Sequence, residues 1–257
     1  MSIYDHFRPE EAVFVDKVKE WKEYAEHYHK IKLTDFLDPR EQQIIKLVIG
    51  THADVSVHFY GVASDAERKR ALICPPYVKP DIQDFSMELL QVDYAVKFQE
   101  IEHRQVLGAL MSLGLKREKF GDIILCEDVV QIISAKEIAD YIIMNLESIG
   151  RAKVSVRSVP FKTIAAVQEE WKEKAGTLTS LRLDVLIAEM FNLSRQKVQL
   201  LVKGGLVKVN WKTIEQPSFE CLEGDVLSVR GFGRSKLLSI EGKTKRDKWK
   251  VVYGTRK

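Results

Sequence analysis

The side chains best suited to nucleophilic or metal chemistry in this 257-residue chain are three cysteines and six histidines. Their spacing argues against both uses. Cys74, Cys126 and Cys221 are odd in number, far apart and set in apolar stretches, which suits small buried hydrophobes better than a disulfide framework or a paired-cysteine zinc site. His27 and His29 stand two apart on a predicted helix and point to different sides, whereas helical metal pairs favour the i, i+4 spacing. His52, His58 and His103 are isolated in sequence. A Cys126–His103 dyad assembled in space stays open beside the favoured reading of a buried structural thiol. No glycine-rich loop follows a first strand, as a methyltransferase would need. No catalytic residue, metal ligand or cofactor is expected.

The chemistry that stands out is cationic. Residues 181–257 hold 16 Lys and Arg against 8 Asp and Glu, a net +8 in a chain of net +3, so residues 1–180 carry −5. Concentrated positive charge on a small folded unit is the electrostatic footprint of polyanion binding, with a solvated lysine-rich surface as the plain alternative. Arg195 and Lys197 follow Ser194, a good N-cap, and so fall in the first turn of a predicted helix. The helix dipole disfavours cations there by a few tenths of a kcal/mol, which a phosphate seated between them and the free N–H groups would offset. Between Lys243 and Lys250 five of eight residues are basic, with Trp249 among them. Trp249 shares a face with Val251 and Tyr253, which favours packing on a sheet over stacking on a base.

The elements that must carry these cations follow from periodicity. Leu183, Leu186, Ile187 and Met190 make one helical stripe, and Val198, Leu201 and Val202 make a second after the break at Asn192-Leu193-Ser194. Gly204 or Gly205 ends the second helix. Leu206–Asn210 and Val226–Arg230 alternate as half-buried strands, which points Lys208, Lys212 and Arg230 outward. Lys236–Ile240 and the basic run after it read as a hairpin, and Trp171–Thr179 as an extended segment.

Upstream, Val13, Val18, Trp21, Tyr24, Ala25 and Tyr28 predict a helix from Pro9 to about His29. A second helix starts at Asp38-Pro39 and carries Ile44, Ile45, Leu47 and Val48. Strands Val55–Tyr60 and Ala71–Cys74 flank the charged stretch Ser64–Arg70. Three prolines within Pro75–Pro80 mark a boundary. The order then becomes strand (Leu89–Tyr94), helix (His103–Ser112), strands (Asp122–Cys126 and Val129–Ser134), helix (Lys136–Leu146), strand (Lys153–Val159). That βαββαβ order predicts a ferredoxin-like sandwich. Its third strand has no aromatic residue for base stacking. The secondary RNA candidates are therefore Arg104, Lys116, Arg117 and Lys119 around the first helix, and Lys243, Lys245, Arg246 and Lys248 in the tail.

Leu181-Arg182-Leu183-Asp184, Ser194-Arg195, Val202-Lys203-Gly204-Gly205-Leu206-Val207-Lys208-Val209-Asn210 and Glu223-Gly224-Asp225-Val226-Leu227 resemble the S4 RNA-binding domain at matching spacing. With Arg230-Gly231-Phe232-Gly233-Arg234 and the arrangement upstream, the whole chain is similar to the YlmH family of Gram-positive bacteria, known from a cell-division gene neighbourhood. The resemblance implies binding of structured RNA, mainly ribosomal and transfer RNA. It further implies association with the large ribosomal subunit carrying tRNA during rescue of stalled translation. The candidate RNA-binding residues are Arg182, Ser194, Arg195, Lys197, Lys203, Lys208, Asn210, Lys212, Arg230, Arg234 and Lys236. Trp211 departs from the S4 pattern, which has Gly after the Asn, so a hairpin of another type is expected there.

Pseudouridine synthases carry an Arg-Leu-Asp motif in a catalytic domain, but here Arg182-Leu183-Asp184 lies inside the S4 pattern. Residues 1–180 show no synthetase signatures. The expected class is α+β: a mixed N-terminal α/β part (1–80), a ferredoxin-like domain (81–160), a linker or extended strand (161–180) and the S4 domain with its hairpin (181–257). No apolar run is long enough to span a membrane and no secretory pattern opens the chain, so a cytoplasmic location is expected. Two alternatives stand beside a non-catalytic RNA binder. One is an RNA-modifying enzyme with its active site in residues 1–160; the other is a division scaffold whose acidic N-terminal part binds a protein partner.

Overall fold

The computed structural model describes all residues except 1–3, 5, 6, 8, 51–53, 64, 65, 97, 98, 166–170 and 257, and of Glu10 and Arg256 it describes the backbone alone. His52 and Ser64 therefore lie outside the described residues. The chain forms two compact units, Met1–Val167 and Gln168–Lys257. Among the described residues no helix is long and apolar enough to cross a membrane.

The first unit opens with helix α1 (Ala12–Tyr28), strand β1 (Lys32–Leu37), helix α2 (Pro39–Ile49) and strands β2 (Ser56–Tyr60) and β3 (Lys69–Cys74). Asp38 caps α2: its carboxylate accepts from the Glu41 N–H while the Glu41 carboxylate accepts from the Asp38 N–H, with Pro39 in the first turn. The three strands pair antiparallel in the order β1-β3-β2. Strand β1 has no counterpart in the sequence prediction, because its Lys-Leu-Thr-Asp-Phe-Leu pattern breaks simple alternation. Of the expected α1 stripe, Val18 and Ala25 are buried beside Val15 and Trp21 packs on them, while Val13, Tyr24 and Tyr28 face solvent, as does Leu47 of α2.

Next come β4 (Met87–Tyr94), α3 (His103–Ser112), β5 (Phe120–Cys126), β6 (Val129–Ala135), α4 (Lys136–Asn145), a short β7 (Ser148–Ile149) and β8 (Ala152–Val159). The sheet order β5-β6-β4-β8-β7, with antiparallel neighbours, is the ferredoxin-like arrangement plus one edge strand. Strand alternation divides its faces. Leu90, Val92, Phe120 and Ile132 pack with Val106 and Leu110 of α3 and Ile142 of α4. Met87, Leu89, Ile124 and Ile133 pack instead with Phe36, Leu72 and Cys74 of the N-terminal sheet. The two sheets are thus covered face to face, with α1 and α2 on the outer side of one and α3 and α4 on the outer side of the other. The Pro75–Pro80 stretch joins segments that share one hydrophobic cluster.

Polar contacts tie the same seam. The buried Arg70 guanidinium donates to the Thr34 and Ser86 carbonyls, with Glu137 at 3.7 Å and Asp35 at 4.0 Å. Lys119 Nζ lies 2.6 Å from Asp35 and 3.0 Å from Glu137. Asp122 accepts from the Glu67 and Arg68 N–H groups. At Gly121 an added Cβ would sit 2.8 Å from Phe36 Cε1 and 3.0 Å from Ile133 Cγ2. Gly121→Ala should therefore destabilise the first unit by roughly 1–3 kcal/mol through overpacking. Urea denaturation showing no loss would mean that the two sheets are not packed this closely.

The second unit contains β9 (Lys172–Leu178), α5 (Leu183–Met190), α6 (Arg195–Lys203), β10 (Val207–Val209), β11 (Lys212–Thr213), β12 (Val226–Val229), β13 (Gly233–Lys243) and β14 (Trp249–Arg256). Its six-stranded sheet runs β11-β10-β12-β13-β14-β9. The expected linker thus resolves differently along its length. Phe161, Ile164 and Ala165 pack on the first unit, whereas β9 pairs along β14 in the second. Both predicted helical stripes are in the core, with Leu183, Leu186, Ile187, Met190, Val198 and Val202 buried and Leu201 packed against them. Trp249 packs on the same cluster beside Val251 and Tyr253. Cys74 and Cys221 are buried, and burial, with the Asp225 charge nearby, pushes the Cys221 thiol up to about 12.

Candidate nucleic-acid interface

Two arginines of the second unit are held by one buried carboxylate. Asp184, in the first turn of α5, has no solvent-exposed side-chain surface. Arg182 Nε donates to its Oδ1 at 3.0 Å, and Arg195 Nη2 donates to its Oδ2 at 2.9 Å. Gln199 Nε2 also reaches Oδ2, at 3.3 Å. Burial pushes the carboxyl pKa up, but the bonds from Arg182, Arg195 and Gln199 outweigh it and hold the group at about 2. The carboxylate stays ionised and fixes two guanidiniums that remain about half exposed, Arg182 at 42% and Arg195 at 55% of the side chain. Charge-assisted pairs of this kind restrict long side chains before any ligand arrives.

Ser194 Oγ accepts from the Lys197 N–H at 3.3 Å and so caps α6. Its part is to set the first turn, which brings Arg195 and Lys197 to one helix end. Lys197 Nζ lies 5.0 Å from the centroid of Phe232, an exposed ring in the turn between β12 and β13. That turn is flanked by Gly231 (φ +85°) and Gly233 (φ +107°), backbone that only glycine adopts without strain. Arg230 and Arg234 bracket the same turn, and the Arg234 guanidinium lies 5.8 Å from the Trp211 ring. Across the sheet Lys208 registers with Ser228, which registers with Arg234. The fold thus links Arg182, Arg195, Lys197, Arg230, Arg234 and Lys208 across α5, α6 and the sheet.

Other candidates stand elsewhere. Lys203 is at the far end of α6, about 12 Å along the axis from Arg195, where a cation suits the helix dipole. The Asn210 side chain is engaged in structure: Nδ2 donates to Asp225 and Oδ1 accepts from the Val226 N–H. Lys212 pairs with Val209 across the β10–β11 hairpin and Lys236 with Val226 and Gly254, both half-buried. In the β13–β14 hairpin, Lys243 bonds Asp247 and lies over Trp249, while Lys245, Arg246 and Lys248 are exposed at its tip.

In the first unit the secondary candidates divide. Arg104 and Lys116 are exposed beside Glu102 and Glu118. Arg117 donates to the Phe120 and Gly121 carbonyls, and Lys119 is held by Asp35 and Glu137. Expected as RNA contacts, both are engaged within the fold, Arg117 by carbonyls three and four residues on and Lys119 by carboxylates 84 and 18 residues away. His27 and His58 likewise have local partners, the Glu23 carbonyl and the Ser56 hydroxyl.

Sequence reasoning missed Asp184 and Gln199 as anchors and Phe232 as a ring beside a cation. The Gly-Phe-Gly triplet between two arginines was the available signal for Phe232. A further correction concerns Trp211. The turn expected to be of another type keeps positive φ at both central residues, Asn210 (+48°) and Trp211 (+64°), with Val209 opposite Lys212. That is the pattern of a type I′ hairpin, with a tryptophan in a glycine-favouring position.

Two packed short helices leaning on an antiparallel sheet, with cations gathered around their N-terminal turns, define an RNA-binding protein of the S4 class. The S4 domain model matches residues 181–227. Two further models, "YlmH, N-terminal" and "Putative RNA-binding domain in YlmH", match residues 10–78 and 80–163 and meet inside the proline-rich stretch. The chain belongs to the YlmH family. It is 48% identical over 256 residues to "Ribosome-associated protein quality control protein P2" of Bacillus subtilis (strain 168), covering all of this chain and 99% of that protein. It is also similar to the solved structure "Cell division protein ylmH from Streptococcus pneumoniae". That match has 31% identity and a TM-score of 0.54, over 63% of this chain and 98% of the other.

Proposed function

We propose that the protein is a non-catalytic RNA-binding factor of the cytoplasm that engages the large ribosomal subunit and tRNA when translation stalls. The observation that carries this reading is the pair of half-exposed guanidiniums held by buried Asp184 beside the N-terminal turn of α6. Guanidiniums fixed beside a helix N-terminus suit the phosphates of a nucleic-acid backbone. The name of the Bacillus subtilis relative, which places that protein in ribosome-associated quality control, supports the choice of ribosomal RNA. Asp184 also bears on catalysis. In an Arg-Leu-Asp motif it would be the nucleophile, but here it is enclosed and bonded by three side chains, which suits an anchor.

Crosslinking the protein to RNA in cells and sequencing the attached fragments tests the proposal. Reads should concentrate on large-subunit ribosomal RNA and on tRNA, and mass spectrometry of the bound RNA should show no nucleotide whose modification depends on the protein. Reads spread evenly over messenger RNA, or a protein-dependent modification, would overturn it.

A further inference from the structure

We infer that the Phe232 ring is a stacking platform for an unpaired nucleobase, so that this face selects RNA with an unstacked nucleotide over continuous duplex. The inference rests on the reading of this face as RNA-binding and adds to it the kind of RNA that is recognised.

The ring is placed by a short, pinned turn. Gly231 and Gly233 take positive φ on either side of it, the Phe232 N–H donates to the Val229 carbonyl at 3.0 Å, and the Arg230 N–H donates to the Leu206 carbonyl at 3.0 Å. An added Cβ at Gly231 would meet nothing within 4 Å, so conformation and not crowding calls for glycine there. A turn held at its base in this way positions the ring before any ligand arrives.

The core does not use this ring. Phe191, Phe219 and Trp249 pack on the apolar cluster of the unit, whereas Phe232 stands outside that cluster and is 36% exposed. One exposed apolar side chain is ordinary on a protein surface. What sets Phe232 apart is its surroundings. The Lys197 ammonium lies 5.0 Å from its centroid, Arg195 precedes Lys197 in the same helical turn, and exposed Arg230 precedes the ring by two residues. A ring and a cation this close fall within the reach of one nucleotide, whose base can stack on the ring while its phosphate meets the ammonium. Lys197 carries its charge on a flexible four-carbon stem and can leave the ring for a phosphate, while Asp184 holds Arg195 for a neighbouring one. The bases of a duplex are already stacked on one another and cannot use the ring.

The test uses the full chain and three labelled RNAs: a hairpin with an adenosine-rich loop, the same hairpin with abasic loop nucleotides, and the blunt duplex of the stem. Phe232→Ala should bind the intact hairpin roughly 5- to 150-fold more weakly than wild type does. Its salt slope should be unchanged, since a neutral ring releases no counterions. Wild type should bind the abasic hairpin about as weakly as Phe232→Ala binds the intact one. Combining the variant with abasic RNA should lose no further affinity, because ring and base act as one pair. Phe232→Tyr should keep most of the hairpin affinity, whereas Phe232→Leu, which is apolar but has no ring face, should lose it. A role in packing, or in placing Lys197, would be blind to whether the loop carries bases. The inference is overturned if Phe232→Ala binds the intact hairpin like wild type, weakens hairpin and duplex alike, or adds its loss to that of the abasic loop. If Arg195→Ala with Lys197→Ala still weakens binding in that case, RNA binding by this face survives. A wild type that binds none of the three probes overturns both readings.

Discussion

Replacing Arg195 and Lys197 together by alanine should weaken RNA binding roughly 15- to 30-fold at physiological salt and flatten the slope of log affinity against log salt by roughly 1.4–1.8. Both cations sit in the first turn of α6, one anchored by Asp184 and the other beside Phe232, so each can meet a phosphate of the same strand. Phosphate contacts release counterions, and each one lost removes roughly 0.7–0.9 from the slope, depending on how single-stranded the RNA is. Folding should be little affected, because Ser194 still caps the helix and Arg182 and Gln199 still hold Asp184. Fluorescence anisotropy over a salt series measures the slope. Wild-type affinity with wild-type slope would move the interface to the exposed tip of the β13–β14 hairpin. A lower melting temperature with the slope intact would assign the two side chains to stability alone.

Asp184→Ala should act through position instead of charge. It leaves every cation in place but releases Arg182 and Arg195 from their shared partner, so RNA affinity should fall roughly 5- to 150-fold with little change of slope. The lost negative charge works in the opposite direction. A rise in affinity would show that the carboxylate merely neutralises its neighbours. Stability should fall as well, by about 2 kcal/mol at neutral pH. That is less than for a fully enclosed pair, since both guanidiniums keep access to water.

The pH dependence has a definite sign. The folded-state carboxyl pKa of about 2 lies below its ordinary 3.8, so the stabilisation is fully present above about pH 5. It is lost as pH falls through 4 towards 2. In Asp184→Asn that part of the acid transition should disappear. An acid limb identical to wild type in urea denaturation would rule out the anchor.

Local physics made much of this protein legible in its sequence. Helix α3 spans the expected His103–Ser112, α2 starts at Asp38-Pro39 and α6 starts after Ser194, because periodicity and capping are settled within one or two turns of chain. The βαββαβ order and the S4 motif are equally local, since they follow from consecutive short elements and the glycines between them. What the tertiary structure decided involves groups that meet only after folding. Lys119 reads as a surface cation until Asp35, 84 residues away, takes its charge. Val13, Tyr24 and Tyr28 fit the same helical stripe as Val18 and Ala25 until packing buries the latter two with Val15 and leaves the former three in solvent. The inner face of the ferredoxin-like sheet is closed because Phe36, Leu72 and Cys74 cover it, and no pattern within β4 or β6 reveals what will lie opposite. The candidate site divides in the same way. Its charge is written in the sequence, whereas the anchoring of two arginines on one buried carboxylate and the strained placement of Trp211 depend on distances that only the folded chain sets.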